Sequence, residues 1–274
     1  MPLHLHFPRP PLSEFVDVMW LCEDYRPAHT LERILPDGTM VLVINLREDR
    51  VRLYANDNPN RFLTTRGSLV SGVQSAFHVI DTACQESNIG VHFKPGGAFP
   101  FFGLPANELR DNHATLDELW YEQAGEVREQ LLEAISPADK FAVLEHAMRA
   151  RIRRPLARHP AVVFALNEFQ TVPARTVADV AGRTGLSLRR FIQVFDEEVG
   201  VTPKLYCRIR RFQEVMRLVH QRREIDWTEV GFDCGYFDQA HFIHDFRAFS
   251  GLNPTAYLAQ RGDHFNHVPI AGES

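Results

Sequence analysis

A repeat written into the C-terminal part of the chain limits its folds more than any other feature. Phe191, Phe195, Gly200, Pro203 and Tyr206 have counterparts Phe242, Phe246, Gly251, Pro254 and Tyr257, each 51 positions further on. Gly185 and Gly235 match at a spacing of 50, and Ala181 matches Gly231, so a single insertion near Phe237 accounts for the slip. A fixed spacing of this kind marks one supersecondary unit used twice.

Each element of the unit has a physical reading. Val177, Val180 and Ala181 form the buried edge of a short helix, and the small residue at 181 lets a second helix cross closely. Gly185 suits the φ > 0 turn that ends the first helix. Ser187 can cap the second, whose Phe191 and Phe195 point inward one turn apart. Gly200 ends it, and Thr202 caps a third helix with Pro203 at its first position. Asn253 and Pro254 repeat that start in the second copy. Two helices joined by a tight glycine turn make a helix-turn-helix, whose second helix can enter the major groove. The units span about 176–199 and 226–250. Between them Leu205, Ile209, Phe212, Met216 and Val219 step by four, three, four and three, which predicts one amphipathic linker helix over 203–219.

The N-terminal half reads differently. Apolar runs at Met40–Leu46, Val51–Tyr54, Ser68–Val73, Phe77–Ala83 and Ile89–Phe93 are separated by turn signals such as Pro36-Asp37-Gly38 and Pro95-Gly96-Gly97. Short strands at this spacing predict a barrel-like, cupin-like domain. Thr115 followed by Glu118 is a capping box. Leu116, Leu119, Trp120, Val127, Leu131 and Ile135 then keep a helical period, and Ser136-Pro137 starts another helix. The Arg-rich, Pro155-containing stretch Arg149–Arg158 lacks an apolar face and is placed as the domain boundary. The fold class is therefore α+β. Residues 1–154 form the β-rich domain with its helical extension, 159–262 an all-α domain without strands, and 263–274 a tail.

With 45% hydrophobic and 24% charged residues in 274, the chain is neither disordered nor fibrous. No apolar run approaches a membrane span, and the start lacks a signal peptide's pattern. The net charge of −5 divides unevenly. Residues 1–150 carry 13 Lys+Arg against 21 Asp+Glu, and the remainder 17 against 14. An acidic half joined to a mildly basic one suggests a division of labour. Cys22, Cys84, Cys207 and Cys234 show no paired spacing, which predicts reduced thiols and a cytoplasmic protein.

Residues 160–262 resemble the DNA-binding domain of AraC/XylS-type transcriptional regulators. The specific part is Val230–Tyr257, with Gly231-Phe232, Gly235-Tyr236, Phe242, Phe246, Gly251 and Asn253-Pro254. Leu35-Pro36-Asp37-Gly38 and Gly90-Val91-His92-Phe93-Lys94-Pro95-Gly96-Gly97-Ala98 resemble the N-terminal domain of a subgroup of these regulators. The resemblance implies double-stranded DNA as partner, RNA polymerase if the protein activates, and an N-terminal domain that senses a small molecule or mediates a homodimer.

Helical geometry then sorts the DNA candidates. Arg189 and Gln193 share a face one turn apart and are the first choice for base contacts, Arg to guanine and Gln to adenine. Arg190 is expected at phosphate. In the second unit Gln239 and His241 are expected at bases, and His244 and Arg247 at the backbone. Arg208, Arg210 and Arg211 on the linker helix are further phosphate candidates. The acidic run Asp196-Glu197-Glu198 should keep DNA off the far end of the first recognition helix. The competing reading of all these side chains is an ordinary solvated face.

For an effector, the aromatic run Phe99-Pro100-Phe101-Phe102, with Trp20 and Trp120, could wall an apolar site, and Arg33, His92 and Lys94 could orient the ligand. Core packing is the competing reading. No cofactor or metal is expected. His4, His6, His78 and His92 are too scattered for a metal site, and no catalytic or phosphate-binding motif is present. Cys207 adjoins Arg208, which could lower a thiol pKa, but buried structural thiols are the default. The helical stretch Thr115–Arg154 is the candidate for dimerisation or coupling. The sequence thus predicts an effector-responsive transcriptional regulator. The alternatives are an enzyme fused to a DNA-binding module, or a regulator without an effector.

Overall fold

Turn chemistry and helix caps divide the chain into its elements. The computed structural model describes residues 3–270 other than 57, 153–155, 172–174, 223, 263 and 265. Pro155 and its neighbours at the expected domain boundary, and part of the tail, therefore lie outside the described residues. The strands are β1 (Leu3–His6), β2 (Val16–Cys22), β3 (Leu31–Ile34), β4 (Val41–Asn45), β5 (Val51–Ala55), β6 (Asn58–Thr65), β7 (Ser68–Ser71), β8 (His78–Asp81), β9 (Asn88–Phe93), β10 (His113–Thr115) and β11 (His267–Ile270). The helices are α1 (Phe99–Phe102), α2 (Leu116–Trp120), α3 (Gln123–Glu133), α4 (Pro137–Ala150), α5 (Pro160–Thr171), α6 (Val177–Gly182), α7 (Leu188–Val199), α8 (Pro203–Gln221), α9 (Trp227–Asp233), α10 (Gln239–Ser250) and α11 (Pro254–Gln260).

The fold is α+β, with a strand-rich N-terminal part and a helical C-terminal part. Among the described residues every strand pair is antiparallel. One sheet runs β1-β2-β9-β4-β7-β10, a second β11-β3-β8, and β5-β6 is a separate hairpin. Among the described residues no sheet closes on itself, so the barrel-like expectation is corrected to open sheets around a shared interior. In the six-stranded sheet, Trp20 lies beside Gly90 in register. A Cβ on Gly90 would sit 2.2 Å from the Trp20 ring, so the missing side chain makes room for the indole.

The expected helix through Ile135 divides in two. Thr115 and Glu118 form the capping box, but Tyr121 adopts φ 54° and breaks the run after α2. α3 ends at Glu133, and Ile135 is left 95% exposed. Ser136 and Asp139 cap α4 reciprocally with Pro137 at its first turn.

The repeat is realised as two similar units. Thr176 caps α6, Gly185 turns at φ 75°, Ser187 caps α7 and Gly200 ends it at φ 95°. In the second unit Asp226 caps α9, Gly235 turns at φ 76°, Asp238 caps α10 and Gly251 ends it at φ 70°. Both terminal glycines also touch the N-terminal domain. A Cβ on Gly200 would lie 3.0 Å from Val73, and one on Gly251 would lie 2.4 Å from the Phe77 ring. Positive φ and close approach thus demand glycine twice over.

The apolar cores cross the expected boundary. One runs from the six-stranded sheet through α2–α5 into the first unit, ending at Phe195, Val201 and Tyr206. The other joins α8 and the second unit to Leu35 and Val268. Val268 belongs to β11, which pairs with β3 from His267↔Ile34 to Ile270↔Leu31. No strand was expected beyond residue 159. β11 forms because it completes a sheet begun more than 230 residues earlier, a partner that local pattern cannot reveal.

Candidate nucleic-acid interface and effector cavity

α7 is strongly amphipathic. Phe191, Val194, Phe195 and Val199 are buried, while Arg189, Arg190 and Gln193 are exposed on its N-terminal half. Gln193 donates to Glu197 at 2.8 Å. The acidic far end is in use by its own molecule. Asp196 accepts from Arg110 and from Asn107 of the N-terminal domain, the latter at 2.8 Å, and Glu198 accepts from the His159 backbone at 2.9 Å. Arg110 also donates to Gly200 O at 2.9 Å. Only the N-terminal half of α7 is therefore left for a partner.

In α10, Gln239, His244 and Arg247 are exposed. His241 is half-buried, its ring edge-on to Tyr236 at 5.3 Å. The linker arginines are placed differently from one another. Arg210 is exposed. Arg208 Nη2 donates to buried Asp245 Oδ1 at 2.6 Å and the guanidinium lies over Phe249, pinning α8 to α10. Arg211 sits 5.1 Å above the Tyr236 ring. These two cations hold the second unit together. A residue outside the expected set is Phe237, 92% exposed immediately before the Asp238 cap of α10. Its signal was the insertion that offsets the repeat.

Between the sheets lies a cavity of about 410 Å³. Its apolar wall comes from alternate, inward positions such as Val41 and Val43 on β4, Leu69 on β7, and Ile34 and Ile80 on β3 and β8. Glu32 projects into it from β3. Burial pushes the Glu32 carboxyl upward, but hydrogen bonds from His267 at 2.8 Å, from Tyr25, and from His29 at 2.5 Å outweigh it and hold the pKa near about 2. Asp37 is half-buried, and hydrogen bonds from His92 at 2.7 Å and from Thr39 at 2.7 Å lower its pKa against its desolvation. His92 is raised in turn, because its bond to Asp37 outweighs its own burial. His78 and His113 stand 5.4 Å apart, and burial lowers them to about 3 and about 4. Among the described residues no three His, Cys, Asp or Glu side chains group as a metal site would need.

Comparison with known proteins assigns the two halves. Residues 180–260 match the model of a helix-turn-helix domain family, and residues 4–115 that of a domain of unknown function (DUF6597). The C-terminal part of the chain is a helix-turn-helix domain. It is 28% identical over 82 residues to the probable transcriptional regulator LumQ of Photobacterium leiognathi, a match covering 30% of this chain and 33% of that protein. The chain thus spans about a third of that relative's length. An AraC-type DNA-binding domain-containing regulator from Chromobacterium violaceum is similar at 22% identity and TM-score 0.34, over 37% of this chain and 91% of that one. Unsaturated fatty acid-bound ToxT from Vibrio cholerae is similar at 13% identity and TM-score 0.43, over 93% and 94%.

The residues expected at an effector are dispersed by the fold. Trp20 and His92 line the cavity. Phe101, Phe102 and Trp120 are buried in the core, with Phe102 stacked on Trp120 at 6.1 Å, and Phe99 is half-buried at the start of α1. The aromatic run closes into one helical turn that packs between sheet and helices. Lys94 donates to Ser13 O at 2.7 Å, and Arg33 lies over Phe77 and reaches Gln260 at 3.3 Å. Glu32, Asp37, His78, His113 and His267 are among the polar lining residues that sequence reasoning missed. They come from five separate segments with no common spacing. The thiols are free, and burial pushes Cys207 up to about 11 and Cys234 to about 12, so neighbouring arginines do not activate them. Among the described residues no helix is long and apolar enough to cross a membrane.

Proposed function

We propose that this chain is a DNA-binding transcriptional regulator whose AraC-type domain responds to a small molecule held in the N-terminal cavity. The observation that carries the reading is the duplicated unit with Arg189, Arg190 and Gln193 exposed on one recognition helix and Gln239, His244 and Arg247 on the other. The N-terminal turns of such helices are the part that meets base edges.

Coupling has a physical route. β11 follows the last helix of the reader, pairs with β3 and presents His267 to the cavity. Val268 on the same strand is buried in the core of the second helix-turn-helix unit. A ligand that favours one placement of β11 therefore biases the seating of that unit, which is the differential affinity that control requires. The cavity supports effector control over a regulator without a ligand. It gives an enzyme little support, since Glu32 and Asp37 already accept several hydrogen bonds and are poor bases. RNA polymerase and a second copy belong to this reading as partners. Leu132 and Ile135, exposed around the end of α3, are where a dimer contact would be sought first.

Binding-site selection from random duplex DNA with the full-length protein tests the reading. Enrichment of a bipartite sequence with half-sites about one helical turn apart is expected. Equal recovery of all sequences overturns it.

A further inference from the structure

The polar groups of the cavity fall into two kinds. The charged ones are already matched. Glu32 accepts from Tyr25, His29 and His267, Asp37 pairs with His92, and Arg52 donates to Asp81. His78 on β8 and His113 on β10 are the other kind. Their rings face each other across the two sheets at 5.4 Å and 64°. The Nδ1 atom of each is buried and has no hydrogen-bond partner among the described residues. Leaving such an atom unsatisfied is costly, so something that pairs with it is favoured. Both histidines line the cavity, whose apolar wall includes Ile34, Val41, Leu69 and Ile80.

Resting on the effector reading above, we propose that His78 and His113 form a polar subsite that receives the hydroxyl group of an otherwise apolar, uncharged molecule. Neutral imidazoles offer one donor and one acceptor nitrogen each. With the two rings turned toward the cavity, a hydroxyl can accept from the N–H of one and donate to the bare nitrogen of the other, which satisfies both at once. A carboxylate would need an uncommitted cation, and Arg52 is held by Asp81. An ammonium would need an uncommitted carboxylate, and both that line the cavity are saturated. The volume sets the size. A 150 Å³ cavity takes benzene, so one of about 410 Å³ has room for roughly 16 non-hydrogen atoms. The subsite lies one strand from the coupling element, because Ile34 pairs with His78 on one side and with His267 on the other.

The test uses the full chain and three probes that differ only in the head group: decan-1-ol, decanoate and decylamine. Binding is read by calorimetry and by the change in tryptophan emission, Trp20 being the tryptophan at the cavity wall. The alcohol is expected to bind about tenfold or more tightly than either ion. His78→Phe and, as a second site, His113→Phe should each weaken it about tenfold, and His113→Asn, which restores a polar atom, should recover part of the loss. Equal or tighter binding of decanoate or decylamine, no binding of decan-1-ol, or indifference of the alcohol to both Phe variants overturns the proposal. Histidine-dependent alcohol binding that leaves DNA affinity unchanged supports the subsite and removes the effector reading alone.

Discussion

His267, near the end of the chain, donates through Nδ1 to Glu32 of β3 at 2.8 Å, so the strand that follows the second helix-turn-helix unit supplies a wall of the N-terminal cavity. The strand carrying His267 is anchored on its other side by Val268 in the second unit's core and by Gln213 of α8, which donates to Asn266 at 3.0 Å. The N-terminal part and the helix-turn-helix units are therefore not joined by a linker alone.

Val268→Asp tests this link. A carboxylate at a fully buried position should cost several kcal/mol of strand docking while leaving α6 and α7 folded. Effector-dependent changes in DNA affinity should vanish, measured by fluorescence anisotropy with and without ligand. Unaltered regulation would show that β11 is not the coupling element.

Acid should weaken the fold from an unusually high pH. His78 and His113 have folded values of about 3 and about 4 against an ordinary 6.5. Between those limits the unfolded chain binds more protons, so stability is full above about pH 6.5 and falls as pH drops. The slope approaches 1.4 kcal/mol per pH unit for each histidine. Glu32, depressed to about 2, adds its own loss below about pH 4.5. Urea titrations from pH 8 to 4 should show the early onset in the wild type and a shallower slope in His78→Phe.

Arg189→Ala should weaken specific DNA binding by about 1–3 kcal/mol and relax preference at one base position. Gln193 must leave Glu197 to reach a base, so Glu197→Ala should strengthen rather than weaken binding. Footprints or anisotropy on a selected site would settle both.

Arg208→Ala is expected to behave as a folding mutation. It strips the hydrogen-bonded cation from Asp245, a carboxylate 1% exposed, and leaves it with His241 at 3.7 Å and His244 at 3.8 Å; losing a buried pair of this kind costs about 3–5 kcal/mol. A large fall in Tm, partly restored by the double change with Asp245→Asn, separates this role from a phosphate contact.

Phe237→Ala removes a ring 92% exposed at the start of α10. Loss of affinity confined to sites with thymine opposite that turn is expected, because a ring there can pack on the thymine methyl group. A uniform loss on all sequences would assign Phe237 to packing instead.

The sequence by itself determined the duplicated helical units. Caps, turn glycines and inward phenylalanines act within a few residues of one another, so the helix-turn-helix units and the exposure of Arg189 and Gln193 could be read from spacing. It also showed that the first half is built of short strands. Only the tertiary structure decided that these sheets stay open, that Phe101 and Trp120 fill core while Glu32, His78 and His113 line the cavity, and that the tail returns as β11. Those outcomes depend on which distant strands pair and which face each one turns inward, and long-range register leaves no periodic trace in the chain.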